Sequence, residues 1–78
     1  MTKPTKQYFS LIERDDVDGR WSIQFGDYDR EVVAQELIDV AYSQGRPRRA
    51  FKIIKTADDQ ASIFAAVADL NRAAPVAA

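Results

Sequence analysis

Large apolar and polar residues alternate along the segment W-S-I-Q-F, which runs directly into a glycine. Trp21, Ile23 and Phe25 point to one side of an extended chain, and the polar residues between them point to the other. This pattern is typical of a half-buried antiparallel strand. It predicts a strand over 20–25 that supplies three large side chains to one face of a sheet.

The preceding segment, 7–13, is rich in residues that favour strands. A polar loop ending in Asp-Gly separates this segment from the strand over 20–25, so the two segments form a predicted hairpin. We predict that Phe9 pairs with Phe25. Leu11 then pairs with Ile23, and every large residue of the hairpin shares one face. The residues that this register turns to the outer face are Tyr8, Ser10 and Ile12.

A segment with the periodicity of an amphipathic helix follows the hairpin. Asp27 or Asp29 is its predicted N-cap, and the helix ends near Gln44, before a glycine that suits the C′ position. Its apolar stripe consists of Val33, Leu37, Val40 and Ala41.

A third strand is predicted over 50–55 (A-F-K-I-I-K), and a second helix follows it. Thr56 is the predicted N-cap of this helix, with Asp59 at N3 in a role like that in a capping box. The helix runs to about Ala73, and its apolar stripe consists of Ile63, Phe64, Val67 and Leu70.

The element order β-β-α-β-α predicts an α+β fold, a two-layer sandwich with a three-stranded antiparallel or mixed sheet. A crossover from the second strand to the third places the third beside the first, which gives the strand order 2-1-3. Both helices are expected on the face that carries Trp21, Ile23 and Phe25. Residues 1–78 form one predicted domain, with a flexible arm at 1–6 and a frayed tail at 74–78.

The composition argues against several classes of function. The 78 residues include no cysteine and no histidine, so disulfides, Cys/His zinc sites and catalysis by these side chains are excluded. No glycine-rich phosphate loop is present, and we expect no enzyme, no cofactor and no metal. No apolar run reaches membrane length and no secretory signal is visible, so we expect a cytoplasmic protein with no membrane partner.

Charge is distributed unevenly along the chain. The net charge is −1, but residues 1–39 carry −4 and residues 40–78 carry +3. The acidic loop, defined as Glu13, Asp15, Asp16 and Asp18, lacks the spacing of a calcium-binding EF-hand and is interpreted as a solvated hairpin loop. The alternative is a negative surface, extended by later carboxylates, that attracts a basic partner.

A first candidate site lies on the outer face of the predicted sheet. Tyr8, Ile12 and Ile54 would form an exposed apolar patch there, with Arg20 and Lys52 at its rim. Apolar patches with polar rims commonly mark interfaces. The prediction is therefore binding of another protein, or a homodimer through this face.

A second candidate is the most basic stretch of the chain. Guanidinium groups bind phosphate in pairs of hydrogen bonds, so this stretch is an alternative nucleic-acid site. A solvated loop followed by an edge strand guarded by lysines explains the same residues. The residues concerned are Arg46, Arg48, Arg49, Lys52 and Lys55.

The segments 21–33 (WSIQFGDYDREVV) and 52–63 (KIIKTADDQASI) resemble small uncharacterised proteins encoded in α-proteobacterial phages and prophages. The resemblance implies a phage-related, intracellular setting and carries no catalytic or binding residue with it. Three functions remain open. The first is a non-enzymatic protein-binding module that modulates a host protein such as a defence component. The alternatives are a nucleic-acid-binding accessory protein and a self-associating structural component.

Overall fold

The computed structural model of the protein describes residues 7–73. The elements are β1 (Gln7–Arg14), β2 (Trp21–Asp27), α1 (Arg30–Gln44), a 3₁₀ turn (Arg48–Ala50), β3 (Phe51–Ala57) and α2 (Gln60–Ala73). Both β2 and β3 pair antiparallel with β1, so the strand order is β2-β1-β3. The predicted α+β class, the element order and the strand order 2-1-3 are confirmed. The predicted arm at 1–6 and tail at 74–78 lie outside the described residues.

Helix α1 begins and ends as the sequence predicts. The Asp29 carboxylate accepts a hydrogen bond from the Glu31 backbone N–H at 2.9 Å, which makes Asp29 the N-cap. Gly45 follows the last turn in the left-handed region at φ 64°, and its N–H bonds back to the helix. A side chain there would strain the backbone, so glycine fixes this end.

Helix α2 begins later than predicted. Thr56 is not its N-cap, because β3 continues to Ala57 and Thr56 pairs with Tyr8. Asp59 precedes the helix instead. Its carboxylate accepts hydrogen bonds from the Ser62 backbone N–H and hydroxyl, both at 2.8 Å. A carboxylate at this position satisfies helix donors that have no partner within the helix.

A β-bulge changes the register of the hairpin. Leu11 pairs with Phe25, but the next residue, Ile12, pairs with Ile23, so Gln24 is an extra residue on β2. A bulge of this kind reverses which face the following side chains occupy. The predicted pairings of Phe9 with Phe25 and of Leu11 with Ile23 are both wrong, because Phe9 pairs with Asp27 and Leu11 with Phe25. Beyond the bulge, Ile23 lies on the face opposite to Phe25.

The two helices lie on opposite faces of the sheet. Alternate side chains of β1 face opposite ways, and Leu11 packs in one cluster with α1 residues. Its neighbours in sequence, Ser10 and Ile12, therefore face away from α1, and Ser10 lines a groove with α2 residues. The prediction that both helices share one face is wrong. The molecule has three layers, because the central strand is apolar on both faces and each face needs a cover.

The layer between α1 and the sheet is closely packed. Leu11 and Val33 are fully buried, and Leu37, Ala41 and Phe51 are less than 10% exposed. The partly buried residues that pack around this cluster are Phe9, Phe25, Val40 and Ile53. This layer forms the main hydrophobic core.

The layer between α2 and the sheet is closed towards the end of the helix. Ile12 is fully buried on this face. The Trp21 N–H donates to the Asn71 side-chain oxygen at 2.6 Å, and the Asn71 amide donates to the Trp21 carbonyl at 3.2 Å. This pair of hydrogen bonds ties the last turns of α2 to the first residue of β2.

Candidate binding groove

The exposed apolar patch predicted for the sheet does not exist as a free surface. Ile12 is fully buried, and Tyr8 and Ile54 are half-buried. The cause is the placement of α2, which covers the face on which these side chains stand. The prediction of an exposed patch is therefore wrong, although Tyr8 still lines a groove on this face.

A groove of about 550 Å³ opens between the sheet and the first half of α2. Strands β1 and β2 supply its floor, the β2–α1 connection supplies Tyr28, and the β3–α2 connection with α2 supplies the remaining wall. We call this the α2 groove, and the residues that line it are Tyr8, Ser10, Ile23, Gly26, Tyr28, Asp58, Gln60, Ile63 and Phe64.

Two tyrosines form one wall of the α2 groove. Their rings meet edge to face, with centroids 5.0 Å apart and planes at 80°. The Tyr8 ring lies directly on Gly26, where an added Cβ would come within 2.7 Å of the Tyr8 Cζ. Glycine at this position therefore allows the ring to lie close to the β2 backbone.

A carboxylate stands beside this wall. The Tyr28 hydroxyl donates to Asp58 at 3.2 Å. That hydrogen bond, together with partial desolvation and the negative charge of Asp58, raises the pKa of Tyr28 above its ordinary value of 10.0. Tyr28 is thus a neutral hydrogen-bond donor at physiological pH. Among the described residues that line the groove, Asp58 alone carries a charge.

A buried hydroxyl lies at the floor of the α2 groove. Ser10 is fully buried, and its Oγ has no hydrogen-bond partner among the described residues. Ser10 pairs with Gly26 on one side and Ile54 on the other, in the middle of the sheet. Most buried polar groups are hydrogen-bonded, so an unpaired one beside a groove needs an explanation.

Exposed apolar side chains converge on the same groove. Ile23 is 40% exposed, Tyr28 53% and Phe64 57%. All three line the groove, and they come from three different parts of the chain. The other large exposed apolar residues of the described chain, such as Val17 and Tyr42, do not line it.

The residues predicted for the patch rim occupy other places. Arg20 is exposed and lines a separate cavity, of about 480 Å³, with residues from the end of α2. The Lys52 ammonium lies 5.8 Å from the centre of the Trp21 ring, within the range of a cation–π contact. These two side chains do not rim the α2 groove.

The predicted basic segment does not form one basic surface. The Arg46 guanidinium lies 3.1 Å from Glu13 and 2.9 Å from Asp16, and it donates to the Arg14 carbonyl. These intramolecular contacts occupy the Arg46 guanidinium, and they hold the hairpin loop near the end of α1. Lys52 and Lys55 are three residues apart on β3, so they stand on opposite faces of the sheet.

The acidic loop also uses its carboxylates internally. One Asp15 oxygen accepts from the Val17 and Asp18 backbone N–H groups, and Asp18 accepts from the Arg20 N–H at 2.9 Å. Such short-range hydrogen bonds stabilise turns. They account for the clustering of aspartates, which agrees with the interpretation as a solvated hairpin loop.

Arg48 lies at a second groove, of about 290 Å³, between α1 and β3. We call it the α1 groove. Arg48 and Arg30, which is eighteen positions earlier in the chain, both line it. Other residues of α1 and β3 also line it, including Ala34, Ile38, Lys52 and Ile53. Arg49 is exposed and does not line the groove.

Sequence reasoning missed several residues of the α2 groove. Tyr28 and Asp58 lie in connections between elements, where no periodicity marks them. Ile23 was assigned to the opposite face because nothing in the alternating pattern reveals the bulge at Gln24. One signal did exist, since apolar Tyr8, Ile12 and Ile54 on the outer face indicate that something covers that face.

Comparison with protein-family models, with curated proteins and with solved structures found no significant match to this chain. Within residues 7–73, neither helix is long and apolar enough to cross a membrane.

Proposed function

We propose that the protein is a small, non-enzymatic protein-binding module, and that the α2 groove holds a segment of its partner. One observation carries the proposal: Ile23, Tyr28 and Phe64, each at least 40% exposed, converge on a single groove that also has an unpaired buried hydroxyl at its floor. Exposed apolar groups gathered in a concave site are typical of binding surfaces.

The chemistry of the groove specifies the bound segment. Its apolar and aromatic walls suit a large aliphatic or aromatic side chain. Its single charged residue is Asp58, a carboxylate with no ion pair in the described part of the chain. A lysine or arginine next to the apolar side chain would complement that charge. The partner segment therefore combines one large apolar residue with one basic residue.

The buried hydroxyl supports the same interpretation. Leaving a buried polar group without a partner costs about 1–3 kcal/mol. The Ser10 Oγ is fully buried, so a polar group of the partner reaches it only when the groove side chains around it move apart. Binding would then give the Ser10 Oγ a hydrogen bond that it lacks within the described residues. Ser10 would thus contribute to binding more than to the stability of the free protein.

The setting of this activity is part of the proposal. The phage or prophage origin implied by the sequence resemblance, a cytoplasmic location and modulation of a host protein all belong to it. The groove does contain one hydroxyl–carboxylate pair, Tyr28 with Asp58, but this contact raises the pKa of Tyr28 and so does not activate its hydroxyl as a nucleophile. Binding is accordingly proposed in place of catalysis.

The proposal is tested by selecting binders from a random peptide library displayed on yeast. The wild-type protein is the bait, and each selected clone is then measured against two variants. Phe64→Ser removes an apolar wall of the groove, and Tyr42→Ser removes a similarly exposed aromatic residue from α1. We expect clones that combine a large apolar residue with lysine or arginine, retained by Tyr42→Ser and lost with Phe64→Ser.

Three outcomes would overturn the proposal. The first is that no clone binds above the background of the uncoated support. The second is that the selected clones bind Phe64→Ser as well as they bind the wild type. The third is a consensus of acidic residues, which is incompatible with Asp58 as the charged group of the groove.

A further inference from the structure

We propose that the α1 groove is a second docking surface, which accepts an acidic, extended segment of a partner protein against the free edge of β3. This inference goes beyond the function proposed for the α2 groove, because the α1 groove lies on the other side of the sheet. It rests on the strand order, on two arginines and on an apolar row of α1.

The edge of the sheet provides main-chain partners. In the described part of the chain, β3 pairs with β1 on one side, and no strand lies on its other side. The outward N–H and C=O groups of an edge strand can pair with an added extended segment. The α1 groove runs beside this edge and includes Lys52 and Ile53 of β3.

The charge of the groove selects the added segment. Arg30 comes from α1 and Arg48 from the 3₁₀ turn, and both are exposed. Neither forms an ion pair with another described residue. No acidic residue is among the described residues that line the groove. Two guanidinium groups without counter-charges complement carboxylates, which they can bind through paired hydrogen bonds.

The α1 side of the groove is apolar beyond Arg30. Arg30, Ala34 and Ile38 recur every four residues, so they form one row along α1 that spans about 12 Å. Ile38 is 45% exposed within this row. Alternate side chains of an added strand share one face and recur about every 7 Å. A segment with the pattern acidic–x–apolar–x–acidic therefore matches this row in length and the two arginines in charge.

The same features favour a peptide over nucleic acid. Proteins that bind single strands stack the bases on exposed aromatic rings. The aromatic residue among those lining the α1 groove is Phe51, which is only 6% exposed. The exposed part of the wall is aliphatic, and an aliphatic wall beside a strand edge suits an extended peptide.

The test is a titration of the ¹⁵N-labelled full chain with two acetylated peptide amides. The acidic probe is Glu-Thr-Val-Thr-Glu, and the matched basic probe is Lys-Thr-Val-Thr-Lys. We expect the acidic probe to shift the amide signals of Lys52 and Ile53. Replacing both arginines (Arg30→Gln with Arg48→Gln) should weaken its binding about tenfold. Arg49→Gln, a matched change in the same turn, should leave it unchanged.

Four results with the protein and the two peptides would overturn this inference. They are the absence of shifts with the acidic probe, equal or tighter binding of the basic probe, no loss in the double variant, and shifts of β3 signals with protein concentration alone. The last would show that a second copy of the chain occupies the edge. An oligothymidylate that binds more tightly than the acidic probe, with an affinity that falls steeply with salt, would assign the groove to nucleic acid instead.

Discussion

The two faces of the sheet are covered by helices of nearly equal length, but to very different degrees. Under α1, the side chains of Leu11 and Val33 are fully buried and the apolar layer is continuous. Under α2, the layer is closed at Ile12 but opens into a groove where Phe64 is 57% exposed. The α1 layer is built as a core, whereas half of the α2 layer is built as a surface.

A small domain can in this way assign stability to one layer and binding to another. A chain of 78 residues has little apolar area to spare beyond one core. Here the closely packed α1 layer supplies that core, and α2 is held partly by polar contacts from Asn71. Exposed apolar residues at the α2 groove therefore weaken the fold less than the same exposure under α1 would.

The largest expected effect is a difference in the free energy of unfolding between a change in the α1 layer and a change in the α2 layer. Leu11→Ala should lower the free energy of unfolding by about 3 kcal/mol, because it leaves a cavity in a layer that cannot collapse. Phe64→Ser should lower it by less than about 1 kcal/mol, because most of that side chain is already in water. Urea unfolding, followed by the fluorescence of the single tryptophan, measures both. Similar losses in the two variants would show that the α2 layer contributes to stability as much as the α1 layer does.

The next effect concerns the polar attachment of α2. Asn71→Ala removes both hydrogen bonds to the Trp21 backbone and should cost about 1–2 kcal/mol. Arg72→Ala is the matched control in the same turn, because its ion pair with Asp69 is exposed. The control should change stability by less than about 0.5 kcal/mol. Equal losses in urea unfolding would show that the attachment depends on apolar contacts alone.

A third change should move stability and binding in opposite directions. Ser10→Ala removes the unpaired buried hydroxyl, so we expect the free energy of unfolding to rise by about 1 kcal/mol. Binding of the peptides selected on the α2 groove should weaken. Ser22→Ala is the control, because Ser22 is exposed and its hydroxyl is already bonded to Gln24. A Ser10→Ala protein that is less stable than the wild type would show that the hydroxyl has an internal partner.

The smallest expected effect is the pH dependence of the stability that Asp59 contributes at the N-terminus of α2. Hydrogen bonds from the Ser62 hydroxyl and backbone N–H lower the pKa of Asp59 below its ordinary value of 3.8. Because the pKa of Asp59 is lower in the folded protein than in the unfolded chain, the stability that this carboxylate contributes is fully present above pH 3.8. It is lost as the pH falls through the folded-state pKa. Asp59→Asn keeps a capping oxygen without titrating. Its stability should fall less steeply with acid than that of the wild type, and parallel urea-unfolding profiles would contradict this.

Much of the fold could be predicted because local signals agree with one another. Asp29 and Gly45 mark the ends of α1 by capping chemistry, which acts over a few residues. The crossover from the second strand to the third predicts the order 2-1-3, and the apolar residues on both faces of the central strand agree with it. These features depend on near neighbours or on composition, and the sequence records both.

The candidate groove could not be predicted, because it depends on which face α2 covers. The connection from β3 is only two residues long, and nothing in it favours one face over the other. The alternating pattern of β2 gives no sign of the bulge at Gln24 either, since the position of the bulge is set by pairing with β1. The apolar residues on the outer face of β1 indicate that another element covers this face, and their interpretation as an exposed patch is wrong.

We propose that the α2 groove, and not the sheet as a whole, binds the partner. The most direct test is a titration of the ¹⁵N-labelled protein with the tightest-binding selected peptide. We expect the largest amide shifts on Ser10, Gly26 and Phe64, and no change at Val33 and Leu37 under α1. Shifts that are largest on α1, or that spread evenly over both layers, would contradict the claim.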